Sequence, residues 1–139
     1  MPDHLFVYGT LRSGSAHPMA HRLRVGARLI GRGSTPGLLY DLGDHPGAVF
    51  DPDARYRVIG DVFELKAGPK LLADLDRYEG FTGADDDFFR RIAVEVVLDR
   101  GGKVQAWTYS LLEAPRARLI GTGDFIADRR ARAPKAARS

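Results

Sequence analysis

The chain has no cysteine. Disulfides, thiolate catalysis and any zinc or iron–sulfur site built on sulfur are excluded with it. A nucleophile or proton carrier must come from oxygen, imidazole or amine groups, or from the substrate itself. Also missing is any stretch approaching the ~20 consecutive apolar residues that a membrane helix needs. The amino-terminus, Met1-Pro2-Asp3-His4, runs straight into an apolar segment. It lacks the basic region, long apolar stretch and small-residue cleavage site of an export signal. A cytoplasmic protein with no membrane partner is the expectation.

What is present suits a folded domain. The 139 residues, 44% apolar and 28% charged, suffice for one domain with a sizeable core. The net charge of +3 is unevenly spread. Residues 127–139 hold Arg129, Arg130, Arg132, Lys135 and Arg138 against Asp128, a net +4, so residues 1–126 carry −1. This Ala/Arg/Pro tail has no apolar periodicity and is expected to be a disordered extension of a domain spanning 1–126. Such a tail can touch RNA through charge alone. It is read here as a solubilising terminus, so nucleic acid is not an expected partner. No linker or repeat divides the body, and a monomer is expected.

Along the chain, Leu5-Phe6-Val7-Tyr8 is a short apolar run ending at Gly9, the pattern of a strand buried on both faces. Residues 12–18 read as a loop and Met19–Leu23 as a short helix. Val25–Gly43, broken by Pro36-Gly37, reads as two short strands around a turn, and Asp44-His45-Pro46-Gly47 as another turn. Val58–Leu65 is strand-like. The clearest helix follows: Pro69 suits a first turn, Leu71, Leu72, Leu75 and Tyr78 share a face, and Gly80 suits the left-handed cap. Phe88–Leu98 and Val104–Ser110 read as strands joined by a hairpin at Asp99-Arg100-Gly101-Gly102. Several strands with one or two helices indicate an α+β domain with a curved or partly closed sheet.

Two places could carry chemistry. At Tyr8-Gly9-Thr10-Leu11-Arg12 a buried strand ends in Gly-Thr, where backbone can approach a ligand closely and successive N–H groups can cup an anion. Taken alone, these residues favour a plain turn in which Thr10 bonds nearby backbone. Glu79 stands at the carboxyl end of the Pro69–Tyr78 helix, where helix carbonyls disfavour a carboxylate. Burial beside Tyr78 and Phe81 would raise its pKa further, as a general base requires. A solvated glutamate just past a helix is the other reading. Asp61 and Arg90 fall inside apolar alternation, so each either lines a pocket or sits at a strand end. His17 and His21 are four apart but flank Pro18 and have no evident third ligand; no metal is expected. Gly31-Arg32-Gly33 is not a dinucleotide fingerprint, and Gly121-Thr122-Gly123-Asp124-Phe125 reads as a turn.

In this order the motifs resemble the gamma-glutamylcyclotransferase-like, or AIG2-like, family. They are Leu5-Phe6-Val7-Tyr8-Gly9-Thr10-Leu11-Arg12, Gly37-Leu38-Leu39-Tyr40-Asp41-Leu42-Gly43, Gly60-Asp61-Val62-Phe63-Glu64-Leu65, Leu75-Asp76-Arg77-Tyr78-Glu79-Gly80, Ala106-Trp107-Thr108-Tyr109 and Gly123-Asp124-Phe125. A YGTLR strand end with a downstream LDxYEG is a specific pair. The resemblance implies a small mixed β-barrel flanked by short helices. It also implies that Tyr8, Gly9, Thr10 and Leu11 bind a small-molecule gamma-glutamyl substrate and that Glu79 is the acid/base. The implied reaction cleaves a gamma-glutamyl amide by cyclisation, releasing 5-oxoproline and an amine, with no cofactor. The alternative is a binding or sensing protein using the same pocket without turnover. Two departures from the family stand out: Phe89-Arg90-Arg91 where it often has Tyr-x-Arg, and Asp61 where its strand carries a glutamate.

Overall fold

Leu5, Phe6 and Val7 are all buried and form β1 (His4–Val7), the middle strand of the molecule. The computed structural model describes residues 3–9, 18–43, 45–66, 68–79 and 89–132. After β1 come α1 (Pro18–Gly26), β2 (Ala27–Asp41), β3 (Pro46–Phe50), β4 (Arg57–Leu65) and α2 (Gly68–Glu79). Then follow β5 (Phe89–Leu98), β6 (Lys103–Leu111), β7 (Arg118–Leu119) and α3 (Phe125–Ala131).

The strands run in the order β2-β4-β1-β6-β5, and β5 pairs back onto β2 through Gly33↔Leu98 and Ser34↔Val97. The sheet thus closes into the small mixed barrel, flanked by short helices, that the motifs implied. Closure depends on Gly33: a Cβ there would lie 2.7 Å from Val96 Cγ1 and 2.8 Å from the Val97 carbonyl oxygen. β3 and β7 add to β2 outside the ring. Within the ring β1–β6 is parallel, at Leu5↔Trp107, and the other described pairings are antiparallel.

Alternation along β1 divides the core. Phe6 and Tyr8 join Leu39, Val58, Val62, Val96, Leu98 and Ala106 in a cluster drawn from every barrel strand, which fills the interior. Leu5 and Val7 face the other way, with Phe63 and Tyr109, and are covered by Leu23 of α1 and by Leu71 and Leu75 of α2. Those two leucines, four apart, give α2 its buried stripe. Tyr78 at its end is 42% exposed.

Three expectations are corrected. Val25–Gly43 is not two strands about a turn, for β2 is continuous. Pro36 still faces Arg57 of β4, whereas Gly37 already faces Phe50 of β3, so Pro36-Gly37 marks a change of partner. Pro46-Gly47 opens β3 instead of completing a turn, since proline is tolerated at the first residue of a strand. Finally, the glycine turn at 121–124 leads into α3, capped by Asp124 Oδ1 accepting from Ala127 N at 3.1 Å. The domain limit expected at 126 therefore falls inside a helix. Within it Arg129 bonds the Asp41 carboxylate at 3.1 Å and also the Gly43 carbonyl oxygen. Residues 133–139 lie outside the described residues.

Candidate active site

Tyr8 is the first residue past β1. Its ring is buried between Phe6 and Phe50, with centroids 6.5 and 5.7 Å away. Its hydroxyl donates to the Tyr109 carbonyl oxygen at 2.6 Å and accepts from Ala48 N at 3.3 Å. The phenol is thus committed to the protein's own backbone. Gly9 lies against Pro46, and a Cβ would be 2.8 Å from both Pro46 Cδ and Cγ. The glycine is required by close approach and not by its φ. Thr10 and Leu11 lie outside the described residues.

Glu79 is the last residue of α2, and its side chain lies outside the described part of the structure. What fixes the helix end is Asp76, three positions earlier and on the same helical face by spacing. Asp76 Oδ1 accepts from the Tyr109 hydroxyl at 2.6 Å and lies 3.5 Å from Arg91 Nε. The Arg91 guanidinium stacks over Trp107 at 4.5 Å, the arrangement a delocalised cation favours. Tyr109 is two residues past Trp107, the partner of Leu5 in the parallel pair, so it stands level with the end of β1. The outgoing ends of β1 and β6 and the last turn of α2 therefore meet at one rim of the barrel. Asp74, buried, ties α2 to α1 by bonding Arg22, and it also bonds Arg77 within its own helix.

The remaining candidates fall differently. Asp61 is buried on the helix-covered face, opposite Val7 of β1 and Arg32 of β2. Arg90 is exposed at the start of β5, a strand-end residue; its neighbour Arg91 is the arginine that turns inward. His21 is exposed on α1, and His17 lies outside the described residues. Among the described residues no three His, Asp or Glu side chains are grouped to hold a metal. None of their helices is long and apolar enough to cross a membrane. Sequence reasoning assigned no role to Asp76, Arg91, Trp107 or Tyr109. Three of them sat inside the quoted motifs, but only the fold brings them together.

The Gly43 amide, then the Arg118 guanidinium, hold the Asp41 carboxyl below its ordinary pKa. Asp128 and Asp41 in turn raise that of Arg118.

A family model described as gamma-glutamyl cyclotransferase, AIG2-like, matches residues 5–127. The chain belongs to this family. A Methanocaldococcus jannaschii protein with a provisional gamma-glutamylcyclotransferase name is 28% identical over 123 residues, 88% of this chain and 95% of that one. The gamma-L-glutamyl-butirosin B gamma-glutamyl cyclotransferase of Niallia circulans is 34% identical over 113 residues, covering 78% of this chain and 66% of its own. Among solved structures, a mouse AIG2-like protein superposes with a TM-score of 0.71 at 26% identity, covering 89% of this chain and 88% of its own. The closed barrel with its short helices is thus the AIG2-like fold as well as the AIG2-like sequence pattern.

Proposed function

We propose that this AIG2-like chain cleaves a gamma-glutamyl amide by intramolecular cyclisation, forming 5-oxoproline and a free amine. The substrate's α-nitrogen attacks its own γ-carbonyl carbon. A new C–N bond closes the five-membered ring as the bond to the leaving nitrogen breaks. The α-amine is protonated at neutral pH, so a base must first take its proton; the departing amine is strongly basic and must receive one. Glu79 is assigned both transfers. The segment Tyr8–Leu11 is assigned to hold the substrate through main-chain N–H groups, which suit an α-carboxylate or a developing oxyanion. Because the nucleophile belongs to the substrate, a chain without cysteine suffices. Holding the glutamyl chain curled exploits an effective molarity of up to ~10⁵–10⁸ M.

The observation that carries this reading is the meeting of the β1 end with the last turn of α2, through Tyr109 and Asp76. It brings Tyr8 and Gly9, where the assigned binding segment begins, to the same rim as the Glu79 backbone, which supports the reading. The test is 5-oxoproline release from a panel of gamma-glutamyl amino acids and gamma-glutamylamines. Glu79→Gln should lower turnover ~10²-fold or more while the far-UV spectrum and thermal midpoint stay unchanged. Wild-type turnover in that variant removes Glu79 from the mechanism. Saturable binding without product in the parent protein favours a binding protein instead.

A further inference from the structure

We infer that Tyr109 is a positioning residue, setting the span between the bend after β1 and the end of α2. The inference rests on the reading above and adds a residue to it. Tyr109 is 4% exposed and engaged at both ends. Its carbonyl oxygen accepts the Tyr8 hydroxyl at 2.6 Å, and its own hydroxyl donates to Asp76 Oδ1 at 2.6 Å. The path therefore runs from the first residue of the bend, through one β6 residue, to a carboxylate three positions before Glu79.

Each contact suits a fixed spacer. The Tyr109–Asp76 bond is short, partly buried and charge-assisted, the strongest common kind. Asp76 is further set by Arg91, whose Nε lies 3.5 Å away and whose guanidinium is held on Trp107. The last four carbonyls of a helix lack intrahelical partners, so a terminal turn is its weakest part. A side-chain tie to the barrel at Asp76 counters that weakness where the assigned base sits. A misplacement of ~1 Å in a reacting group can cost ~10²-fold in rate, so a spacer this close should register in turnover.

The experiment uses the full chain with Tyr109→Phe, Asp76→Ala and Asp76→Asn. Tyr109→Phe keeps the ring and removes only the donor. Its kcat should fall ~10- to 100-fold with KM within about threefold and the thermal midpoint within a few degrees. Asp76→Ala should match it, and the double variant should be no worse than either single one. Asp76→Asn, which keeps an oxygen acceptor, should recover much of the loss. Independently of any substrate, amide exchange over residues 71–79 should quicken about tenfold in Tyr109→Phe, with α1 unchanged. Unchanged kcat and unchanged exchange overturn the inference, as does a loss wholly explained by a lower midpoint. The two readings fail separately. An inert Glu79→Gln beside a fully active Tyr109→Phe defeats only the spacer. An active Glu79→Gln defeats the proposed base while the exchange measurement still decides whether Tyr109 anchors the helix.

Discussion

At Gly9 a single methyl group would collide with one edge of the Pro46 ring, 2.8 Å from both Cδ and Cγ. Proline cannot swing aside as a long flexible side chain would, so the bend itself must give. Gly9→Ala should raise KM for the proposed gamma-glutamyl substrate several-fold and lower unfolding stability in urea by about 1–3 kcal/mol, the usual cost of overpacking. Unchanged KM would mean that the bend does not contact substrate. Gly60 shows the same constraint in the core, since a Cβ there would lie 2.3 Å from the Val7 carbonyl oxygen. A glycine before a polar loop was recognisable from sequence. The neighbour that demands it was not, because Pro46 is far along the chain and reaches Gly9 only through the fold. Tyr8 makes the same point: the motif marked its importance, while the Tyr109 carbonyl and the Ala48 amide that occupy its hydroxyl became known only with the barrel.

Among the elements, α3 is where the charged carboxyl-terminal residues acquire a structural task. Arg118 of β7 spans Asp41 at 3.0 Å and Asp128 at 2.6 Å, while Arg129 bonds Asp41 and stacks on Phe125 at 4.8 Å. Asp41 titrates below its ordinary value in the folded protein, chiefly because the Gly43 amide and then Arg118 favour the ionised form. Stability from this carboxylate is therefore fully present above the unfolded-state value near ~3.9 and is lost as pH falls through the lower folded value. The stability gap between the parent protein and Asp41→Asn should be constant at neutral pH and shrink below about pH 4. Urea midpoints measured across that range check it; a gap independent of pH would show that the charge of Asp41 is not what docks α3. Composition alone made residues 127–139 a solvated tail, because arginines that pair with acids distant in sequence look the same as arginines in water. The long β2 was hidden for a related reason. A turn and a change of strand partner both favour a residue without N–H followed by one without a side chain, and Pro36-Gly37 supplies the second. By contrast β4, α2, β5 and β6 were legible nearly to their ends, since each carries its own periodicity and its own bounding turn residues.

Taken as a whole molecule, the barrel is closed by the short seam at Gly33 and Ser34, where β2 meets β5. Gly33→Ala should open that seam and lower unfolding stability in urea by about 1–3 kcal/mol, the seam lying far along the strands from the α2–β6 tie. Loss of 5-oxoproline release in step with the lost midpoint, and no further, would mark the seam as structural. Sequence motifs anticipated a small mixed barrel through family resemblance, whereas periodicity alone reached only a curved or partly closed sheet, because closure is a pairing between strands distant in sequence. The parallel pair β1–β6 has a further consequence for how such a molecule can change. An antiparallel neighbour returns the chain to the opposite rim, but these two adjacent strands end at the same one. That rim lies far along the strands from the seam at Gly33 and Ser34, so substitutions made where β1 and β6 end leave the closure of the barrel untouched.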